Sequence, residues 1–162
     1  MKHEVDLKYY PDSYVGPLDM KEVTDWEHYF ATHEQPQIKF DPAYLRHLSK
    51  FHGGVPNKRL FLTDKGTEKV INRFLNFLDP VLLTDSVGGT WSDIFDRLSD
   101  NLMPFADLAS GDFLCFDYEK GGRPQIVVWF HELSPPSSPY TEFVANNFDE
   151  FLEMLYEDPD DD

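Results

Sequence analysis

The amino-acid sequence predicts a single α+β domain in which a central, mostly antiparallel sheet is flanked by helices. Helical apolar spacing with capping signals lies toward both ends of the chain, and short runs of Val, Ile, Leu and Phe separated by glycine-bearing turns fill the middle. No internal repeat interrupts this order. At 162 residues, with 41% hydrophobic and 15% aromatic residues, the chain has material for one core. The domain is expected to span residues 1–162, with an extended lead-in over residues 1–18 and an acidic tail over residues 157–162.

The lead-in contains Tyr9-Tyr10-Pro11 and Gly16-Pro17 and has no sustained period, so it reads as extended chain with turns, its aromatics docked on the domain. From about Leu18 to Ala31, Val23, Trp26, Tyr29 and Phe30 form a helical stripe behind a candidate N-cap at Asp19 or Thr24. A second helix starts at Asp41-Pro42, an N-cap followed by proline at the first helical position. It points Leu45, Leu48 and Phe51 inward and stops at Gly53-Gly54. Leu60-Phe61-Leu62 and Val70-Ile71, around Asp64-Lys65-Gly66, suit a hairpin. Residues 70–77 also fit one helical face through Val70, Phe74 and Phe77, and strand is the preferred reading. Thr90 and Asp93 have capping-box spacing for a helix over Trp91 to Leu98, with Ile94, Phe95 and Leu98 as its apolar face. Three strands follow as a meander, Leu102 to Ala106, Phe113 to Tyr118 and Gln125 to Phe130. Ser134-Pro135-Pro136-Ser137-Ser138-Pro139 is a rim loop or linker, and a last helix from near Asn147 buries Phe148, Phe151, Leu152 and Leu155.

Charge narrows the function classes. Thirty acidic against 14 basic residues give a net charge of −16, a field that repels nucleic-acid phosphates and anionic membranes. Acidity has two readings, solubility and recognition of a basic protein. The N-terminus lacks a signal-peptide stretch and no run reaches membrane-spanning length, so a cytoplasmic location is expected. The single cysteine, Cys115, lies in Phe113-Leu114-Cys115-Phe116 and reads as a buried thiol.

Residues that carry chemistry elsewhere find little support here. The six histidines match no metal-binding spacing, so no metal or cofactor is expected. The pairs Gly53-Gly54, Gly88-Gly89 and Gly121-Gly122 lack the lysine of a phosphate loop and read as turns and caps, and Ser110 is not in a nucleophile elbow. Asp107, Asp112, Asp117 and Glu119 cluster along the sequence, which raises a paired-acid hydrolase. Such a site needs two carboxylates to meet in a pocket, and acids at strand ends are ordinarily solvated.

Two segments together resemble the SUKH superfamily, which contains the fungal Smi/Knr cell-wall regulators and many bacterial toxin-neutralising proteins. One is Tyr44-Leu45-Arg46-His47-Leu48-Ser49-Lys50-Phe51-His52-Gly53-Gly54-Val55-Pro56, similar to a helix running into a Gly-Gly-x-Pro element. The other joins Met103-Pro104-Phe105-Ala106-Asp107, Ser110-Gly111-Asp112-Phe113-Leu114-Cys115-Phe116-Asp117 and Ile126-Val127-Val128-Trp129-Phe130-His131-Glu132 in the family's order. The resemblance runs from about residue 40 to 156; Phe40-Asp41-Pro42 departs from the leucine-proline usual before the second helix. It implies an α+β fold, no enzymatic activity, and immunity through binding a toxin, often a nuclease whose basic cleft an acidic partner can cover. On this reading the partner surface is Asp107, Asp112, Asp117, Glu119 and Glu132, with Trp129 as an aromatic anchor if exposed, and the tail from Glu157 to Asp162 as a second candidate. A regulatory or scaffolding module of the Smi/Knr kind is the alternative.

Overall fold

In the computed structural model, residues 7–78 and 85–157 are described. Among these residues, four α-helices surround one six-stranded antiparallel meander whose strands follow chain order, β1 to β6. The N-caps are as local chemistry demands. Asp19 accepts the Lys21 amide to open α1 (Met20–Thr32), and Asp41 accepts the Ala43 amide to open α2 (Pro42–Phe51). Gly53 closes the second helix at φ +67°, and the lead-in docks there, with Tyr9 bridged to Pro56 and stacked on Phe51 at 4.2 Å.

The expected hairpin is β1 (Leu60–Leu62) and β2 (Glu68–Phe74), so residues 70–74 are strand. The helix expected from Trp91 begins earlier, as α3 (Val87–Ile94). Its N-cap is Ser86, whose hydroxyl accepts the Gly89 amide at 2.9 Å. Gly88-Gly89 is therefore part of the first helical turn, not a turn or cap of its own. Packing explains the placement: a Cβ on Gly88 would stand 2.1 Å from the Trp26 ring, so only glycine lets α3 lie this close to α1. A 3-10 turn, Phe95–Arg97, then carries Phe95 outward.

The meander continues through β3 (Leu102–Leu108), β4 (Phe113–Asp117) and β5 (Gln125–Trp129). The sequence reading did not include β6 (Thr141–Ala145), which pairs antiparallel with β5 before α4 (Phe148–Met154) closes the chain. The Asp64 amide donates to the Phe143 carbonyl at 2.8 Å, and Leu60 and Tyr156 exchange backbone hydrogen bonds at 3.0 and 3.1 Å. These contacts curl the two ends of the sheet toward a near-barrel.

Alternation along the strands sorts side chains to two faces. Leu114, Phe116, Ile126 and Val128 join Val23, Phe30, Tyr44, Leu48, Phe148 and Phe151 in the main core under α1, α2 and α4. Leu102, Cys115, Val127 and Trp129 face the other way and form a second cluster with Leu98, against which Trp91 and Ile94 pack. Burial raises the Cys115 thiol far above its ordinary range, leaving it an inert apolar side chain.

Candidate protein-binding surface

The acids singled out in the sequence do not share one surface. Asp112 and Asp117 close the two ends of β4, five residues apart, which at about 3.4 Å per residue is about 17 Å. Carboxylates that cleave a glycosidic bond stand at most about 10 Å apart, so this pair cannot flank one.

Asp112 departs furthest from the expectation of a solvated contact residue. Only 3% exposed, it accepts the Lys69 ammonium at 2.6 Å and the Ser110 hydroxyl at 3.0 Å on one oxygen. Its other oxygen accepts the His131 amide at 2.9 Å and faces His131 Nδ1 at 2.6 Å. Burial alone would raise its pKa, but these hydrogen bonds outweigh it and hold the carboxyl below its ordinary range. The Lys69 ammonium lies 4.7 Å from the Phe130 ring centroid. The cluster ties β2, the β3–β4 turn and the end of β5 into one internal knot, so Asp112 is a structural residue. Trp129 is likewise corrected. It is 0% exposed, its indole N–H donates to the Arg97 carbonyl at 3.0 Å, and the Arg97 guanidinium lies 5.0 Å from its ring, so it offers a partner nothing.

The remaining acids are scattered over both ends of the strands. Asp107 is half-buried beside Asn72, and burial raises its carboxyl above its ordinary value. At the opposite end of β4, Asp117 accepts the Glu119 amide at 3.0 Å and is raised by burial and by the neighbouring Glu119 charge, while Glu119 is exposed. Glu132 is exposed on the 3-10 turn His131–Leu133. Of the tail, Glu157 is exposed, and residues 158–162 lie outside the described residues.

One surface was missed. Tyr29, placed by the sequence in a helical stripe, and Phe95, placed in an apolar helix face, are 37% and 55% exposed. They are joined through Trp91, whose ring centroid lies 5.7 Å from Tyr29 and 5.3 Å from Phe95. Arg97 stitches this ledge to the rim beyond β5, donating to the carbonyls of Ser134 at 2.9 Å and of His131, while the Ser137 amide donates to the Asp96 carbonyl at 3.1 Å. The rim adds Leu133, 55% exposed, beside Glu132. The available signal was the Ser86 N-cap, which shifts α3 and ends it before Phe95.

Among the described residues, no group of three or more His, Cys, Asp or Glu is placed to hold a metal ion, and no helix is long and apolar enough to cross a membrane.

A family model described as SMI1-KNR4 cell-wall, SUKH_6, matches residues 32–152. The chain belongs to the SUKH family. SUKH domains are protein-interaction modules, and the family includes immunity proteins as well as Smi1/Knr4-like members. The match covers α2, α3, the whole meander and most of α4, so these helices and the sheet are family architecture, while α1 up to Ala31 lies outside the matched residues. A Bacillus subtilis (strain 168) protein named SPbeta prophage-derived uncharacterized protein YokK is 39% identical over 70 residues, covering 43% of this SUKH chain and 33% of the relative. The aligned region thus spans a third of that curated relative's length. No solved structure matches the chain significantly.

Proposed function

We propose that this SUKH domain is an immunity protein that binds and neutralises a cognate toxin domain, a basic nuclease being the best fit. The net charge of −16 on a protein-interaction module carries the reading. A nuclease must present cationic side chains to phosphate, and an opposing acidic surface speeds encounter with it and disfavours wrong partners. The partner is a protein, with no nucleic acid, membrane or cofactor engaged directly, and the cytoplasm is where such a protein intercepts an incoming toxin. Kinship with a prophage-derived protein fits a gene carried on mobile DNA. Glu119 and Glu132, exposed at opposite ends of the strands, are the outward acids among those the sequence singles out, and Asp107 and Asp117 are half-buried.

Co-expression tests this. The domain should restore growth to cells making a toxin encoded beside its gene, and the association rate of the two purified proteins should fall as salt rises. Failure to protect against every neighbouring toxin sinks the immunity reading. A regulatory or scaffolding role is the second reading, supported by the family's cell-wall description, and a gene neighbourhood free of toxins favours it.

A further inference from the structure

We infer that the ledge formed by Tyr29, Trp91 and Phe95, with Leu133 on the adjoining rim, receives an arginine-bearing basic segment of the protein partner. The inference deepens the immunity reading and rests on its premise of a basic partner. Tyr29, Trp91 and Phe95 touch in a run with two exposed members, His33 stacking on one face of Tyr29 at 3.9 Å, which is unusual for a surface, where large apolar side chains are normally scattered singly. Aromatic side chains that are partly fixed by their neighbours make good anchors, because little freedom is left to lose on binding.

The charges around the rings select the partner. Asp93, Asp96 and Glu132 are exposed on the same helix, the 3-10 turn after it and the stitched rim. Within α3 and the 3-10 turn the cation, Arg97, turns inward to the Trp129 ring and to the carbonyls of His131 and Ser134, while on the rim His131 Nε2 stands 3.8 Å from Glu132. Arg97 therefore leaves Asp93 and Asp96 without a neutralising neighbour from their own helix and turn. Aromatic faces beside carboxylates suit a guanidinium, which stacks on the ring and donates to the acid together. An acidic or purely apolar segment would strand those carboxylates.

The test uses the full chain and its three tryptophans, with Trp129 as a buried control. A peptide of nine arginines is titrated while the indole NMR signals are followed. The Trp91 signal should move saturably and the Trp129 signal should stay. Phe95→Ala should weaken binding about tenfold, and Asp96→Asn by less. Tyr10→Ala, exposed on the lead-in, should leave binding unchanged. Phe95 is more than half exposed, so its loss spares the fold, and Leu133→Ser provides an independent second variant. A Trp91 signal unmoved at saturation, or a Phe95→Ala affinity equal to wild type, overturns the ledge. A second titration uses the inactivated toxin domain encoded beside the gene. Toxin binding that Phe95→Ala leaves intact overturns the ledge and keeps the immunity reading. Arginine binding at the ledge with no toxin binding keeps the ledge and overturns that reading.

Discussion

Replacing Asp112 with alanine removes the centre of the knot that joins β2, the β3–β4 turn and β5. The loss has two parts. Lys69, its side chain only 12% exposed, forfeits its ion pair, and the His131 amide forfeits its acceptor. Breaking a buried pair from one side costs about 3–5 kcal/mol, because the other charge stays behind. Lys69 keeps the Ser110 hydroxyl and the Phe130 ring, which places the expected loss near the lower end, about 3 kcal/mol. For a chain of this size that is a fall in Tm of about 6–12 °C. Urea and thermal unfolding of Asp112→Ala, Lys69→Met and the double variant measure it, and the two effects should fall short of additive by about 1 kcal/mol or more. A loss for Asp112→Ala below about 0.5 kcal/mol would refute the knot and return Asp112 to the solvated acids.

Three further outcomes are expected. His52 accepts the Phe77 amide on Nε2 at 2.8 Å and faces the Gly16 carbonyl at 3.0 Å, and burial lowers its pKa against the pull of the Gly16 and Pro17 carbonyls. The unfolded chain then takes up a proton that the fold resists, so this part of stability is full above about pH 6.5 and is lost as pH falls toward the lowered value. Urea melts at pH 7.5 and 5.5 should differ less in His52→Gln than in wild type; an equal difference excludes His52 as the source. Gly88→Ala gains about 1 kcal/mol of helix propensity but drives a Cβ into Trp26, so unfolding should show a net loss of about 2 kcal/mol, and a stabilised variant would contradict the α1–α3 packing. The Tyr44 hydroxyl is buried with no hydrogen-bond partner amid Phe105, Phe116 and Phe148. Tyr44→Phe should therefore stabilise by about 1 kcal/mol, and a loss in calorimetry would mean the hydroxyl is satisfied.

Local chemistry made much of the fold legible. Asp41-Pro42 with Gly53-Gly54 bounds α2, the capping residue Asn147 opens α4, and the runs around Phe61, Phe105, Phe116 and Val128 become strands because their neighbours in sequence already favour extended chain. Elements that depend on distant partners were not legible. β6 is five residues between a proline-rich loop and a helix cap, and it is strand because β5 offers an unpaired edge. Its Glu142 is tolerated inside because the hydroxyls of Thr63, Thr67 and Tyr140 converge on it at 2.7, 2.9 and 2.9 Å.

For the binding surface the division is sharper. The sequence by itself determined the charge, the order of the family-like segments and hence a protein-binding SUKH domain, since these depend on composition and local pattern. Only the tertiary structure decided which acids and aromatics face outward. Asp112 and Glu132 are both acids in the same stretch of chain, yet Lys69, 43 residues before Asp112, draws the first inside and leaves the second exposed. Trp129 and Trp91 are both tryptophans; strand alternation and the cover of Arg97 bury one, while the start of α3 at Ser86 sets the other beneath an exposed Phe95. Exposure is a property of what packs on a residue, and those neighbours come from elsewhere in the chain.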